Sequence, residues 1–436
     1  MRIRNLPAIA VNIGLVVRNR TAKIYRHVAS RARRAAKRSG ETAKNTATQV
    51  RQTAERGRDE VLRARASGVR AGKYWTRVRR QLFDPLGSDL AVKRDLRAVA
   101  SGTGPIVVGP WLSEVGYEVL YWVPFVRWFV HHHRVDPSRL VVVSRGGTSS
   151  WYADIGTKYV ELLELFEPDE FARRNRERQA RGDQKQLSIG EFDREILSRL
   201  ESRVELSTTS RRATSRTSML HPSLMFRLLR RFWLGNASLE YVADHLRFAP
   251  LGSGAASGAA AVPGLVPTPV PTRLPMPALP DRFTAVKFYT GTALPDSAEN
   301  RTLLRAVVEQ LARRGPVVAL DTGLRLDEHE DYLFRDVPNV FTLGATLIPA
   351  QNLAVQTEVI RRASLFVGTC GSLAWLAPML GIDTVAIYAD DHFLAPHLYA
   401  ARHAFASMPA GRFMPIDLRA AARLGLVTAA AEHVLG

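Results

Sequence analysis

The chain has 436 residues, 46% of them hydrophobic, which is enough for two or three domains with substantial cores and ordinary for a soluble protein. Its single cysteine, Cys370, excludes an internal disulfide and any zinc site built from several thiolates, and it suits a reducing cytoplasm. The net charge of +20 is concentrated: residues 1–80 hold 22 Lys or Arg against 4 Asp or Glu, and residues 81–436 hold 39 against 37, so a nearly neutral globular part follows a basic tail.

In the tail, the apolar run Leu6–Val17 lies between Arg2, Arg4 and Arg18, Arg20. It is too short to span a bilayer and ends without a small-residue cleavage pattern, so secretion is not expected. Residues 22–80 mix Ala, Val and Thr with many arginines and carry few large apolar side chains before Tyr74 and Trp75. Such a segment is helical or disordered but builds no core. An anionic membrane surface, nucleic-acid phosphates and plain solvent are all compatible with it. The membrane is favoured, because apolar burial and lipid charge reinforce each other. No nucleic-acid fold follows and no aromatics recur at stacking intervals, so no specific nucleic acid is expected. The corresponding location is cytoplasmic, peripheral to the inner face of the plasma membrane.

Beyond the tail, Pro105–Gly109 is predicted as a strand. Glu118–His132 follows as a helical pattern interrupted by Pro124, and Leu140–Ser144 as a second strand. Continuous apolar strands in βαβ order imply a parallel sheet covered on both faces. Residues 151–166 read as a further helix, and 170–247 as a charged, helical excursion from the sheet. Residues 104–248 therefore form one α/β domain. Residues 249–280, dense in Gly, Ser, Ala and Pro, form a linker. A second α/β domain, residues 281–436, alternates regularly: strand Thr284–Phe288, helix Glu299–Arg314, strands Val317–Leu320 and Asn339–Leu343, and helix Gln351–Ala363. It continues with strand Ser364–Val367, a small-residue turn over Gly368–Ser372, helix Leu373–Leu380 closed by Gly381, and strand Thr384–Tyr388. Small residues at such a turn let a ligand approach the backbone, and the helix N-terminus favours an anion such as a diphosphate. The competing reading is a βαβ unit whose glycines only serve tight turns.

This order of motifs resembles the GT-B glycosyltransferases, most specifically their heptosyltransferase-like branch, with a partial match in both halves. The residues that carry the resemblance are Gly116, Glu118 and Pro124 in the first half, and Val367-Gly368, Leu380-Gly381 and Val385–Tyr388 in the second. The chain departs from the family by having Cys370 where an aspartate is usual, Trp375 where a histidine is usual, and Tyr117 between Gly116 and Glu118. A heptose donor is therefore not implied. The resemblance implies two Rossmann-like domains of GT-B type and a sugar moved from a nucleotide-sugar donor to an envelope glycan or lipid-linked acceptor. It implies no metal and no cofactor beyond the nucleotide-sugar substrate.

Such chemistry needs a base for the acceptor hydroxyl and cations or N–H donors for the departing diphosphate. Glu118 is the candidate base, with Glu114 as substitute if the register shifts by a turn; the plain alternative for Glu118 is a carboxylate complementing a helix dipole. The diphosphate is assigned to Lys287, Thr369, Cys370, Gly371 and Ser372. Lys287 enters because a charge inside an apolar strand needs a reason. Asp390 and Asp391 end a strand and are candidates for the ribose or donor, and Arg145, Trp151 and Tyr152 for the acceptor. The His131–His133 run is read as a solvated helix end rather than a metal site, since adjacent helical residues point apart. Two rival functions stay open: a non-catalytic nucleotide- or sugar-binding protein of the same fold, and a basic-tailed nucleic-acid-associated protein.

Overall fold

A computed structural model of the chain describes residues 85–155, 158–183, 185–203, 217–251, 274, 276–321, 329–343 and 347–423. The basic tail and most of the 249–280 linker, with the expectations attached to them, lie outside the described residues. Both sheets belong to one compact unit, residues 86–436.

The N-terminal half of that unit opens with α1 (Pro85–Ser101) and β1 (Ile106–Val108). Next come α2 (Val115–Tyr117), a π-helical turn over Glu118–Trp122, and α3 (Val123–His133). Pro124 does not end this run, but regular α geometry gives way to a π-helical turn directly before it, where the proline's missing N–H leaves a carbonyl of the preceding turn without its usual helical donor. Strands β2 (Leu140–Ser144), β3 (Lys158–Glu161) and β4 (Ser218–Leu220) complete a four-stranded sheet of order β3-β2-β1-β4. All its pairings are parallel, with Ile106 opposite both Leu140 and Ser218. Every residue of β1 and β2 is buried, which is why both read as unbroken apolar runs.

Two sequence expectations change here. Residues 151–166 are not one helix: a 3-10 segment (Thr148–Ile155) gives way to β3 and then to α4 (Leu162–Leu165). A four-residue strand is too short for its period to show, and only pairing with β2 reveals it. The region 170–247 is largely helical, as α5 (Pro168–Ala180), α6 (Glu191–Arg203), α7 (Pro222–Trp233) and α8 (Leu239–Ala243). It is not wholly an excursion, because β4 returns to the sheet beside β1.

The C-terminal half contains β5 (Thr284–Lys287), α9 (Ala298–Arg314), β6 (Val317–Ala319), β7 (Val340–Thr342), α10 (Asn352–Arg362) and β8 (Leu365–Thr369). After these come α11 (Ser372–Met379), β9 (Thr384–Tyr388), α12 (Ala395–Ala406), β10 (Phe413–Asp417) and α13 (Leu418–Arg423). α9 shows how locally these elements are encoded. The Ser297 side chain caps the Asn300 N–H, Arg313 and Arg314 sit at the negative end of the dipole, and Leu304, Val307, Val308 and Leu311 form the buried stripe. Burying each of those side chains stabilises the fold by roughly 1.5–3 kcal/mol as an upper bound. The sheet order β10-β9-β8-β5-β6-β7, all parallel, is the six-stranded Rossmann order read from one edge. The α/β fold of two Rossmann-like halves is thus observed, in a form consistent with a two-domain GT-B arrangement.

The halves share a continuous apolar core in which Trp122 and Phe125 of one belong with Trp375, Leu376 and Ala400 of the other. Backbone bonds cross the seam as well: Ala354 N–H donates to Gly146 O at 2.9 Å and Leu251 N–H to Met379 O at 2.8 Å.

Candidate functional site

In an open parallel sheet a crevice forms beyond the carboxyl ends of two strands whose connections leave in opposite directions. In the C-terminal half those strands are β5 and β8, and in the N-terminal half β1 and β4. The two crevices face one another. Between them lies a cleft of about 700 Å³ whose walls include Glu114, Tyr117, Lys185, Phe226, Arg230 and Trp233 from the first half. From the second half come Tyr289, Thr369 to Ser372, Trp375, Asp390 and His397.

The C-terminal wall is built around the exit of β8. The Thr369 hydroxyl accepts the Tyr289 N–H at 2.9 Å and donates to Tyr289 O at 3.1 Å, tying together the ends of the two central strands. Gly371 then turns with φ +137, and a Cβ there would stand 2.7 Å from the Tyr289 hydroxyl, so the tyrosine lies directly over the turn. α11 starts at the next residue, so its N-terminus, the positive end of its dipole, lies at the cleft. Thr369, Cys370, Gly371 and Ser372 all line it. Cys370 does so as a buried small residue: burial pushes its thiol up to about 12, so no reactive thiolate is present.

The N-terminal wall is built around the exit of β1. Glu114 precedes α2 and is exposed to the cleft, whereas Glu118 is fully buried one turn later. Glu118 Oε1 accepts from Ser144 Oγ at 2.6 Å and from Tyr152 Oη at 2.8 Å, while Oε2 has no partner among the described residues. Burial raises this carboxyl to about 7 against the opposing pull of the two hydroxyls. Glu118 is thus a core carboxyl, and Glu114 is the carboxylate that faces the cleft.

Sequence reasoning missed the most distinctive feature of this wall, Lys185. Its ammonium donates to Tyr117 Oη at 2.7 Å and lies 4.6 Å from the Tyr117 ring centroid and 5.9 Å from that of Trp233. Desolvation holds its pKa below the usual lysine value, with Glu114 pulling the other way. Tyr117 Oη also meets His397 Nε2 at 3.1 Å, and Tyr121 Oη meets His397 Nδ1 at 2.7 Å. Burial, reinforced by Lys185, lowers His397 to about 3, so this imidazole is neutral and bridges two phenols across the seam. The neighbouring Gln186 is fully buried and anchors the loop. Its Oε1 accepts from Leu112 N–H at 2.8 Å, and its Nε2 donates to Pro110 O at 2.9 Å and to Asp193 at 3.0 Å. No local pattern marks this loop in the sequence; only its docking on the β1 exit brings Lys185 to the cleft.

Several expected site residues lie elsewhere. Lys287 is not on the cleft wall: its ammonium pairs with Asp331 at 2.6 Å and donates to Leu320 O at 2.8 Å, and this ion pair is the reason for its charge inside a strand. Trp151 and Tyr152 are fully buried, the first donating to Thr357 Oγ1 at 3.0 Å and the second bound to Glu118. Arg145 is buried and donates to Ser113 O at 3.1 Å. The Arg145–Gly147 loop serves the seam, where Gly146 and Gly147 press on Leu353 and Ala354. Asp390 lines the cleft and caps the His392 N–H at 2.9 Å, while Asp391 is exposed and outside the wall. Among the described residues no group of three or more His, Cys, Asp or Glu is placed to hold a metal ion, and no helix is long and apolar enough to cross a membrane.

No protein-family model and no curated protein matches the chain. Among solved structures it is similar to the bacterial iron-containing dodecameric glycosyltransferase TibC from enterotoxigenic E. coli H10407, at 14% identity and a TM-score of 0.33 over 66% of this chain and 58% of that one. The dodecameric iron-containing heptosyltransferase TibC in complex with ADP-D-beta-D-heptose gives 15%, 0.33, 66% and 59%. A glycosyl transferase family 9 protein from Veillonella parvula DSM 2008 gives 12% and 0.29 over 67% of this chain and 82% of that one. The match thus spans less than two thirds of either TibC chain.

Proposed function

We propose that the protein is a GT-B-type glycosyltransferase that moves a sugar from a nucleotide-sugar donor to an envelope glycan or lipid-linked acceptor in the cleft between its halves. The observation that carries the reading is that two Rossmann-like sheets turn their crevices toward one cleft, which receives a carboxylate, Glu114, from one wall and a small-residue strand-to-helix turn from the other. On this reading the donor lies against the C-terminal half, its diphosphate at the N–H groups of Gly371 and Ser372 and its ribose beside Asp390. Glu114 accepts the proton of the acceptor hydroxyl as that oxygen bonds to the anomeric carbon. The bond from that carbon to the diphosphate breaks, and the charge it leaves is stabilised by the helix N-terminus. The mechanism requires no metal. The arginine-rich residues 1–80 would hold the enzyme on an anionic membrane, at the cytoplasmic face.

The test is thermal stabilisation of the full chain by a panel of nucleoside diphosphates and nucleotide sugars, with release of nucleoside diphosphate as the activity readout. Stabilisation by one nucleotide class, with turnover lost in Glu114→Gln while binding persists, is the expected result. Binding without turnover for any donor would favour a non-catalytic binding protein, and no stabilisation at all in folded protein would remove the nucleotide-sugar reading.

A further inference from the structure

The cations of the cleft are unevenly placed. Lys185 and Arg230 stand on the N-terminal wall, opposite the turn assigned to the donor. Arg230 follows Phe226 by four residues and precedes Trp233 by three on α7, so the three share one helix face and all reach the cleft. The Arg230 guanidinium has no hydrogen-bond or ion-pair partner among the described residues. Both cations are held on one frame. His221 caps the start of α7 by accepting the Ser223 N–H at 3.2 Å, its Nε2 meets Asp193 at 3.2 Å, and Asp193 accepts from Gln186, the neighbour of Lys185. His221 and Asp193 are buried, which makes the frame stiff. Beside the cations the wall becomes apolar and exposed: Leu187 is 38% and Leu234 53% accessible, and both line the cleft.

We propose that this wall binds an acceptor in which a phosphate or diphosphate is joined directly to an apolar chain, with Lys185 and Arg230 on the anion and Trp233, Leu187 and Leu234 along the chain. The proposal rests on the glycosyltransferase reading and names the acceptor class for it. Charge complementarity selects the anion. The leucines select the chain, because a free phosphate has no apolar surface and a nucleotide sugar offers only the face of its base, which stacks on an aromatic ring, whereas an alkyl or prenyl segment also buries the exposed leucines beside the cations.

The experiment titrates the full chain, without donor, with a medium-chain alkyl phosphate below its micelle concentration, with inorganic phosphate, and with a neutral alkyl glycoside of equal chain length. The arginine-rich residues 1–80 attract anions whatever the cleft does, so the readout is the part of the binding that changes in Arg230→Gln, Lys185→Gln and Leu234→Ser. About tenfold weaker alkyl-phosphate binding in each charge variant, and a smaller loss in Leu234→Ser that leaves inorganic phosphate unaffected, is the expected pattern. Equal affinity for inorganic phosphate would mean a free-anion site and overturn the proposal, as would equal affinity for the neutral glycoside. It is equally overturned if the charge variants weaken nucleoside diphosphates and spare the alkyl phosphate. Parallel titration of the unmodified chain with nucleoside diphosphates separates the two failures: nucleotide binding without alkyl-phosphate binding removes the acceptor class and leaves the glycosyltransferase reading standing.

Discussion

Gly116 and Ser372 meet across the two halves: a Cβ built on Gly116 would stand 2.8 Å from the Ser372 nitrogen and 2.9 Å from the Trp375 ring. Only a residue without a side chain lets α2 sit this close to the N-terminus of α11, and the same contact sets how near Glu114 lies to the turn opposite. Gly116→Ala forces the halves apart or tilts the indole, and is expected to cost about 1–3 kcal/mol. It should lower the unfolding temperature and weaken stabilisation by nucleoside diphosphates together. An alanine variant as stable and as nucleotide-responsive as the natural chain would show that the contact is not a constraint.

Two buried carboxyls give the N-terminal half an unusual pH response. Burial raises Glu118 from 4.5 to about 7, and Glu161 from 4.5 to about 7 despite its bonds to the N–H groups of Gly146, Gly147 and Leu163. A carboxyl whose folded pKa lies above its unfolded value binds protons more tightly when folded, so its contribution is complete below pH 4.5 and is lost as pH rises to about 7. Denaturant unfolding of Glu118→Gln should lose about 3 kcal/mol of this slope between those limits. A slope identical in variant and natural protein would mean that Glu118 is ionised in the fold.

His397 works in the opposite sense. Its folded pKa lies near 3 against 6.5, so the unfolded chain takes up a proton that the folded chain refuses, and stability falls as pH drops below 6.5. His397→Gln should remove that acid-side loss. At neutral pH it should cost about 1–2 kcal/mol for the weakened links to Tyr117 and Tyr121. The Tyr117 link also orients Lys185, so binding of anions in the cleft should weaken too. Retention of the full acid-side loss in the variant would assign it to another group.

The Lys287–Asp331 pair lies off the cleft wall, and its geometry predicts an effect on stability rather than on nucleotide binding. With side-chain exposures of 13% and 20%, removing one partner strands the other in a poorly hydrated place. Lys287→Met is expected to destabilise the C-terminal half by about 2 kcal/mol. The double variant Lys287→Met with Asp331→Leu should recover part of that loss. Nucleotide stabilisation, compared at equal fractions folded, should be unchanged in both. A selective loss of nucleotide binding in Lys287→Met would return this lysine to the donor site.

What the sequence determined by itself is the part of the structure encoded within single elements. Unbroken apolar runs such as Leu140–Ser144 and Thr384–Tyr388 are strands because both faces are covered, and α9 is legible from its Ser297 cap, its apolar stripe and its terminal arginines. The small-residue junction read over Gly368–Ser372 was legible too, although the strand runs on through Gly368 and Thr369, since glycine and short side chains at a strand-to-helix junction leave room for a ligand whatever surrounds them. Tertiary structure alone decided which charged and aromatic groups face the cleft. Arg145, Trp151 and Tyr152 have the composition of a sugar and phosphate site but lie in the core, while Lys185, Arg230 and Trp233, likewise cationic and aromatic, line the cleft. Glu114 and Glu118 are one helical turn apart, yet one is exposed and the other fully buried. The physical reason is that side-chain direction at a junction depends on contacts from distant segments: the π-helical turn that places Glu118 under Ser144 and Tyr152, and the Gln186 anchor that carries Lys185 to the end of β1.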